Sequence, residues 1–156
     1  MSKVKKFSPD RKDLLEVAFE IRRKVYIEEQ NVPEEEEYEF EDECVHFLIY
    51  HKKQALGTAR HRITKKGVKL ERFALLKEAR GKGLGRDLLR FVLTDARAYG
   101  KPIYLHAQAA VVNFYKQQGF VISGPKFMEA GIEHYPMEWE NPTDLNKALE
   151  KAVCRR

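Results

Sequence analysis

The sequence predicts an α/β (α+β) fold in which helices flank one mixed, mostly antiparallel sheet. Two features of the chain indicate this. Between residues 44 and 76, three apolar stretches alternate with short polar turns, which is typical of an antiparallel meander. The third stretch is followed by a glycine-rich turn, a helical pattern and another strand pattern. Such a strand–helix–strand passage is a right-handed parallel crossover, so the sheet is expected to be mixed.

The N-terminal part is predicted to contain one edge strand and one helix. Residues 3–7 are the candidate strand. Ser8 is a typical N-cap and Pro9 a typical first helical residue, and apolar residues then recur at helical spacing as far as Val25. Pro33 is expected to end the regular structure, because proline lacks the amide hydrogen that a helix needs.

The central part is predicted to supply the meander and the crossover. The three meander strands are residues 44–50, 54–62 and 68–76. The crossover helix follows the glycine-rich turn and reaches about Tyr99, where Gly100 is a typical C-terminal stop. Residues 102–107 are the strand that returns beside the meander.

The C-terminal part is predicted to close the sheet. Its elements are a short helix over residues 111–118, a closing pair of strands over 120–123 and 132–139, and a helix over 141–153. Residues 141–156 would then be a helical extension of the domain, whose apolar stripe is either a packing surface or the surface of a homodimer. The expected total is six to seven strands and four to five helices.

Composition narrows the class of protein. A length of 156 residues suits a single domain, residues 1–156. No apolar run approaches the ~20 residues of a membrane span, and the N-terminus has no signal-peptide core, so we expect a cytoplasmic protein with no membrane partner. Cys44 and Cys154 lack metal or redox spacing, and no histidine pair has ligand spacing. Free thiols and no bound metal are therefore expected.

Charge is distributed unevenly along the chain. Residues 34–43 (EEEEYEFEDE) hold eight acidic residues and no basic one, whereas the whole chain has a net charge of +5, so the remaining residues carry +13. A basic body suits a polyanionic ligand such as a nucleotide cofactor or a nucleic acid. We expect no nucleic-acid partner, because no recognition-helix or RNA-binding motif is present and the acidic run would repel phosphate.

The glycine-rich turn, residues 80–86 (RGKGLGR), is the strongest local signal. Amide groups at a helix start have no internal partner, and glycines let a phosphate approach them closely. A Walker A loop and a dinucleotide fingerprint both fail on spacing. The string R-x-x-G-x-G does fit, at Arg80, Gly83 and Gly85. The alternative is a glycine-rich helix start that binds nothing.

This string resembles the acyl-CoA pyrophosphate loop of the GNAT N-acetyltransferase superfamily, and three further blocks resemble its ElaA-like branch. The blocks are R-x-x-V-[FY]-x-x-E-Q-x-x-P (residues 22–33), A-Q-x(4)-N-F-Y-x(3)-G-F (107–120) and F-x-E-x-G-I-x-H-x-x-M (127–137). Each block alone is a weak signal. The four together extend from about residue 18 to 139, in order, and are highly specific.

The resemblance implies a sheet that splays open in a V, with the pantetheine arm of acetyl-CoA in the gap. The strands over residues 68–76 and 102–107 are expected to part after Leu75. Gln108 would orient the arm, and Asn113 would either bind it, fix the strand end or lie on the helix surface. The resemblance further implies main-chain contacts from Phe73, Ala74 and Leu75 to the arm, and from Arg80, Gly81, Lys82, Gly83, Leu84, Gly85 and Arg86 to the pyrophosphate.

The implied activity is that of an acyl-CoA-dependent N-acyltransferase (EC 2.3.1 type). It would transfer the acetyl group of acetyl-CoA directly to a primary amine of a small molecule or to an exposed amino group, through a tetrahedral intermediate. Tyr115 would protonate the departing thiolate, or else be a core tyrosine. Glu71, expected on the face of Phe73 and Leu75, would be the general base, or else pair with a nearby arginine.

The acceptor end is less defined by the resemblance. His46 and His134 match histidines of the ElaA-like pattern, and they either line the acceptor pocket or are structural. His106 has no counterpart in the pattern. The candidate acceptor-binding residues are Arg22, Glu29, Gln30, His46, His106 and His134. The acidic run is either a solvated loop or a negatively charged wall that attracts a cationic amine. A non-catalytic acyl-CoA-binding or regulatory module on the same fold is the alternative function.

Overall fold

The computed structural model describes residues 2–140. The predicted C-terminal helix over residues 141–153 and the rest of the extension to residue 156 lie outside the described residues. Across the described part, no helix has both the length and the apolar character needed to cross a membrane.

Within residues 2–140, eight strands form one sheet, in the spatial order β1-β2-β3-β4-β5-β8-β6, with β7 paired to β8. The strands are β1 (Ser2–Phe7), β2 (Val45–His51), β3 (Gln54–Thr64), β4 (Gly67–Leu75), β5 (Ile103–Gln108), β6 (Phe120–Ile122), β7 (Phe127–Glu129) and β8 (Ile132–Trp139). Only β4 and β5 pair in parallel, so the predicted mixed, mostly antiparallel sheet is confirmed. The expected six to seven strands become eight because β7, only three residues long, is too short for an alternating pattern.

Four α-helices accompany the sheet in the described part of the chain. They are α1 (Lys12–Arg22), α2 (Glu34–Glu37), α3 (Leu84–Arg97) and α4 (Val112–Gln117), and a π-helical segment, Arg23–Glu29, continues α1. Helix α1 begins later than predicted. The amide of Arg11 donates to the carbonyl of Ser8, so residues 8–11 form a turn, and Ser8 is not the N-cap.

The sheet is covered on both faces. In β2, three consecutive residues, Phe47, Leu48 and Ile49, are fully buried, and successive strand side chains point to opposite faces. Helix α3 buries a stripe at helical spacing, which consists of Leu84, Leu88, Leu89, Val92, Leu93 and Ala96. Each such leucine contributes about 2 kcal/mol by leaving water. This two-sided core holds the central strands rigidly, and the opening in the sheet lies beside it.

The opening lies between β4 and β5. Their parallel pairing is limited to Val68–Leu70 against Ile103–Leu105, although β4 continues to Leu75 and β5 to Gln108. The two strands therefore do part, as expected for a V-shaped sheet. The separation begins after Leu70, five residues before the predicted position.

Candidate active site

A cleft of about 840 Å³ fills the space where β4 and β5 separate. It is lined by residues from both strands, from the π-helical segment and from α4. The sequence-predicted residues that meet in its lining are Glu29, Gln30, Glu71, Phe73, Ala74, Leu75, Arg80, Gly85, His106, Gln108, Tyr115 and His134. Residues that are distant in sequence, and that were expected to bind one cofactor and one acceptor, thus share a single cavity.

Eight predicted site residues are not in this cleft lining. Five of them belong to the glycine-rich loop, namely Gly81, Lys82, Gly83, Leu84 and Arg86, and the other three are His46, Asn113 and Arg22. His46 is buried, contacts the carbonyl of Glu41 at 3.0 Å and stacks on Phe7, and its burial lowers its pKa. It is therefore a neutral core histidine, and the structural alternative holds for it. Asn113 lies exposed on α4, in agreement with the helix-surface alternative. Arg22 is buried in an ion network behind the cleft, described below.

A β-bulge shapes the β4 wall. Arg60 pairs with Glu71 and Thr58 with Ala74, so one residue of β3 faces two residues of β4, Arg72 and Phe73. Arg72 has a left-handed backbone (φ 56°), which is uncommon for a residue other than glycine. A bulge interrupts the ladder and leaves main-chain groups without a strand partner. Beside the open side of β4, this makes main chain available to a ligand.

The bulge also changes which side chains share a face. Because of the extra residue, Glu71 lies on the same face of β4 as Ala74. The expectation that Glu71 shares a face with Phe73 and Leu75 is therefore wrong. Strict alternation along the strand would have been needed for it, and the bulge interrupts that alternation.

Glu71 is held by three cations. Its carboxylate contacts Arg62 at 2.8 Å, Arg60 at 3.1 Å and Lys69 at 3.1 Å. Burial alone would raise the pKa of Glu71, but these positive charges outweigh it and lower the pKa to about 2. A carboxylate with so low a pKa is a weak base. The structure therefore gives Glu71 the salt-bridge role that the sequence left as the alternative to the general base.

The acidic run is partly folded into this ion network. Glu37 and Glu41 accept hydrogen bonds from the buried Arg22 at 2.8 Å each, and Glu41 also contacts Arg60 at 2.8 Å. Arg72 reaches both the carboxylate and the carbonyl of Glu37, which ties the bulge to the acidic run. The run is thus neither a wholly solvated loop nor a continuous wall. The members that still line the cleft outside the buried network are Glu35, Glu36 and Glu39.

Tyr26 supports the bulge from the other side of the cleft and was not singled out from the sequence. Its hydroxyl donates to the carbonyl of Phe73. Nearby, the side-chain amide of Gln108 donates to Gln30 at 2.8 Å, which links β5 to the π-helical segment. Tyr26 stands at the [FY] position of the first block, so the motif contained the signal. The motif does not show, however, that the Tyr26 hydroxyl would bond the carbonyl of Phe73 on β4.

The glycine-rich loop forms a polar cradle at the start of α3. Gly81 (φ 79°) and Gly83 (φ 80°) have left-handed backbones that suit glycine. A side chain would strain this turn, which leads into the free amide groups of the α3 N-terminus. The side chains of Arg80, Lys82 and Arg86 are exposed beside it. Free amides and three positive charges fit a diphosphate such as that of coenzyme A.

Arg80 itself bridges the cleft entrance. Its guanidinium contacts the carboxylate of Glu29 at 2.8 Å and donates to the carbonyl of Leu75 at 3.0 Å. Both Arg80 and Glu29 are partly exposed. The predicted cofactor residue and the predicted acceptor residue are therefore paired with each other here.

Tyr115 lies where α4 meets the cleft. Its ring packs edge-on against Phe73, Phe114 and Phe120, with centroids 5.1 to 6.2 Å apart. Within residues 2–140, no group is hydrogen-bonded to its hydroxyl. Burial raises the pKa of Tyr115, so the hydroxyl keeps its proton. The ring of Tyr115 is therefore part of the core, and its hydroxyl is a protonated group on the cleft wall.

Sequence comparison relates the chain to known proteins. Residues 11–141 match the family model described as an acetyltransferase (GNAT) domain. The protein YyaT of Bacillus subtilis (strain 168) is 40% identical over 131 residues, which cover 81% of this chain and 88% of that protein. The uncharacterized N-acetyltransferase YjcF of the same strain is 39% identical over 127 residues, which cover 79% and 90%, respectively.

Solved structures share the fold. Escherichia coli ElaA is similar with a TM-score of 0.77 at 24% identity, over 90% of this chain and 100% of that chain. The PaiA N-acetyltransferase of Thermoplasma acidophilum, solved in complex with coenzyme A, is similar with a TM-score of 0.64 at 19% identity, over 90% and 99%. At these identities the likeness shows the fold. The predicted GNAT fold and the resemblance to ElaA are confirmed.

Proposed function

Because the chain belongs to the GNAT acetyltransferase family, we propose that it transfers the acetyl group of acetyl-CoA directly to a primary amine. The observation that carries the proposal is the separation of β4 from β5 after Leu70, which leaves a cleft between the glycine-rich loop and Tyr115. Family membership supports acyl transfer in general. The acetyl donor and the amine acceptor are the finer part of the proposal.

Each part of the cleft has a role in this proposal. The loop from Arg80 to Arg86 holds the diphosphate of the donor through main-chain amides and positive charges. Main chain on the edge of β4 that no longer pairs with β5, from Phe73 to Leu75, holds the arm and orients the carbonyl that is attacked. Acetyl-CoA, when bound, supplies the thioester. Tyr115 donates its proton to the departing sulfur, and burial, which raises its pKa, keeps the hydroxyl protonated until then.

The acceptor is proposed to be cationic in solution. Glu35, Glu36 and Glu39 line the cleft outside the buried ion network, and a negative rim attracts an ammonium group. Attack on the thioester then requires removal of a proton from that ammonium. Glu71 is not proposed as the base, because its carboxylate is paired with three cations.

The proposal is tested by calorimetry with acetyl-CoA and by a CoA-release screen with polyamines, amino sugars and amino acids. We expect acetyl-CoA binding in the micromolar range and release with at least one amine. Tyr115→Phe should lower kcat about 100-fold while leaving the Kd for acetyl-CoA within about twofold. The matched control is Tyr104→Phe, since Tyr104 contacts Thr64 outside the cleft lining and should leave kcat unchanged.

One observation favours a second candidate function, a non-catalytic acyl-CoA-binding module. The only carboxylate predicted as a general base, Glu71, is neutralised by ion pairs. In that case acetyl-CoA would bind, no amine of the screen would release CoA, and Tyr115→Phe would change neither result. An absence of acetyl-CoA binding would contradict both functions.

A further inference from the structure

A cluster of three titratable side chains forms the wall of the cleft opposite β4. His106 comes from β5, His134 from β8 and Glu129 from the end of β7, and all three line the cavity. The register of the sheet brings them together, because His134 pairs with Gln108 of β5 on one side and with Phe127 of β7 on the other. His106 is two residues from Gln108, and Glu129 is two residues from Phe127. Neighbouring strands thus place both rings beside one carboxylate.

The protonation of His134 follows from its main-chain contact. Its Nδ1 lies 2.8 Å from the carbonyl of Ile132, and a carbonyl only accepts, so Nδ1 carries the hydrogen. In the neutral ring, Nε2 is then an acceptor. This nitrogen faces Oε2 of Glu129 at 3.7 Å, which is beyond hydrogen-bond length. Two acceptors therefore face each other with no donor between them.

His106 adds a third unpaired atom. Its Nδ1 is buried and has no hydrogen-bond partner among the described residues. It lies 3.6 Å from Oε1 of Glu129, again beyond hydrogen-bond length. Buried polar atoms are nearly always paired, so an unpaired one at a cleft wall points to a missing ligand. The ring is held in place by Phe127, whose centroid lies 4.9 Å away and which also stacks on His134.

The carboxylate at the centre of the cluster is ionised. The ring of His106, with its N–H turned toward the carboxylate, holds the pKa of Glu129 below its usual range, and the positive charge of Lys69 adds to this. Lys69, from β4, is the cation that faces the cluster from the opposite wall. Within residues 2–140, no group of three or more histidine, cysteine or acidic side chains is arranged to hold a metal ion.

We propose that His106, Glu129 and His134 form the site for the ammonium group of the acceptor, with His134 as the general base. This inference rests on the proposed function and extends it to the acceptor. A primary ammonium carries three N–H donors on one nitrogen, and the cluster offers three acceptors, the two oxygens of Glu129 and Nε2 of His134, whose nearest ring partners lie beyond hydrogen-bond length. Glu129 binds the positive charge and takes two N–H, Nε2 of His134 takes the third, and His106 positions the carboxylate. A secondary or quaternary amine has too few donors for this arrangement.

The proton transfers balance in this scheme. The ammonium gives one proton to Nε2 of His134, which becomes imidazolium and later releases that proton to solvent. The free electron pair on nitrogen then attacks the thioester carbon, and the C–S bond breaks after the C–N bond has formed. The second proton leaves the nitrogen for solvent as the amide forms, and Tyr115 supplies the proton of the thiol and regains one from solvent. One ammonium and one thioester thus give one amide, one thiol and one proton.

The first test is kinetic and uses substitutions that approximately preserve the shape of the replaced side chain. His134→Asn keeps a donor near the Ile132 carbonyl and removes the Nε2 acceptor. We expect kcat/KM for a primary amine to fall about 100-fold at neutral pH, and the rise of the wild-type pH profile near neutrality to disappear. Glu129→Gln should raise KM for the amine at least about tenfold with kcat much less affected. Glu133→Gln is the matched control, because Glu133 pairs with Lys126 outside the cleft lining.

The second test requires no turnover. The histidine ring signals are followed by NMR while 1-propylammonium is added to the protein with CoA bound. Saturable shifts of His106 and His134 are expected in the wild type and in Glu133→Gln, and none in Glu129→Gln. Ring nitrogen shifts should also show His134 protonated on Nδ1 alone. A doubly protonated His134 at neutral pH would overturn the proposal.

The two tests separate this inference from the proposed function. Acetyl transfer that is unchanged by both Glu129→Gln and His134→Asn rejects the ammonium site and leaves the acetyltransferase proposal standing. Saturable propylammonium shifts without CoA release from any amine reject the acetyltransferase proposal and leave the ammonium site standing. Neither shifts nor CoA release would reject both.

Discussion

The two walls of the cleft use the same kinds of side chain in opposite ways. On the β4 side, Glu37, Glu41 and Glu71 each contact at least one arginine within 3.1 Å. On the β5–β8 side, Glu129 comes no closer than 3.6 Å to its two histidines. The first wall is an ion network with its charges paired. The second has acceptors that await a donor.

Whether a charged side chain is paired distinguishes structural residues from candidate ligand-binding residues here, and composition does so less clearly. Paired buried charges fix geometry, and here they tie the acidic run to the bulge at Arg72. Unpaired acceptors at a cleft wall retain their capacity to bind a ligand. The largest concentration of acidic residues in the chain, residues 34–43, therefore serves mainly the structural wall. Glu129, a single carboxylate between two imidazoles, is the better candidate for binding the acceptor.

The largest expected effect comes from breaking the structural wall. Arg22 is 1% exposed and bonds both Glu37 and Glu41, so Arg22→Met leaves two buried carboxylates short of a partner. We expect the free energy of unfolding to fall by about 3–5 kcal/mol, measured by urea denaturation at pH 7. The matched control is Arg23→Met. Arg23 pairs with Glu20 and Glu28 at the exposed surface, and its loss should leave the free energy of unfolding nearly unchanged. Equal losses in the two variants would show that the network does not hold this wall.

The next effect is the pH dependence of the stability that Glu71 contributes. The pKa of Glu71 is lowered from 4.5 to about 2, so its contribution to stability is present above pH 4.5 and is lost as pH falls through about 2. It amounts to about 3 kcal/mol at neutral pH. Glu71→Gln should therefore be less stable than the wild type at pH 7, and the difference should shrink as pH falls from 5 to 2. Urea denaturation across this pH range measures it.

The same variant tests the comparison between the walls. If Glu71 is structural, the pH profile of kcat/KM keeps its shape in Glu71→Gln even where the rate changes. The opposite result would be a loss of the rise of kcat/KM near neutral pH in Glu71→Gln and its retention in His134→Asn. It would show that the general base is Glu71 on the β4 wall and not His134 on the β5–β8 wall.

The fold was largely predictable from sequence because its signals are local. The short turns of the meander, the glycine-rich turn and the helical stripe of α3 each lie within a few residues. The bulge at Arg72 was not predictable, because no residue nearby marks it. It is held by Glu37, 35 residues earlier, and by Tyr26 at the neighbouring Phe73. A strand pattern alone therefore put Glu71 on the wrong face.

The site was predictable where a motif carries the chemistry directly. The spacing of Arg80, Gly83 and Gly85 predicted a glycine-rich turn at a helix start, and this turn is present before α3 with left-handed Gly81 and Gly83. The role of Glu71 depended on partners from another strand, and their register cannot be read from spacing. One signal was present, since Arg60 and Arg62 alternate along a buried strand and two such arginines need an acid. Glu129 was passed over because it stood in a block where only the histidine was given a role.

The smallest expected effect lies at the cleft entrance, where a paired charge stands on a binding surface. Arg80 contacts Glu29 at 2.8 Å, and a diphosphate would compete for the same guanidinium. Because the pair is partly exposed it is weak, so Glu29→Gln should tighten CoA binding only about two- to fivefold in calorimetry, and less at high salt. Glu28→Gln is the control, since Glu28 pairs with Arg23 instead. Weaker CoA binding in Glu29→Gln would mean that Glu29 positions Arg80 for the ligand. The Arg80–Glu29 ion pair would then support CoA binding and would not compete with it.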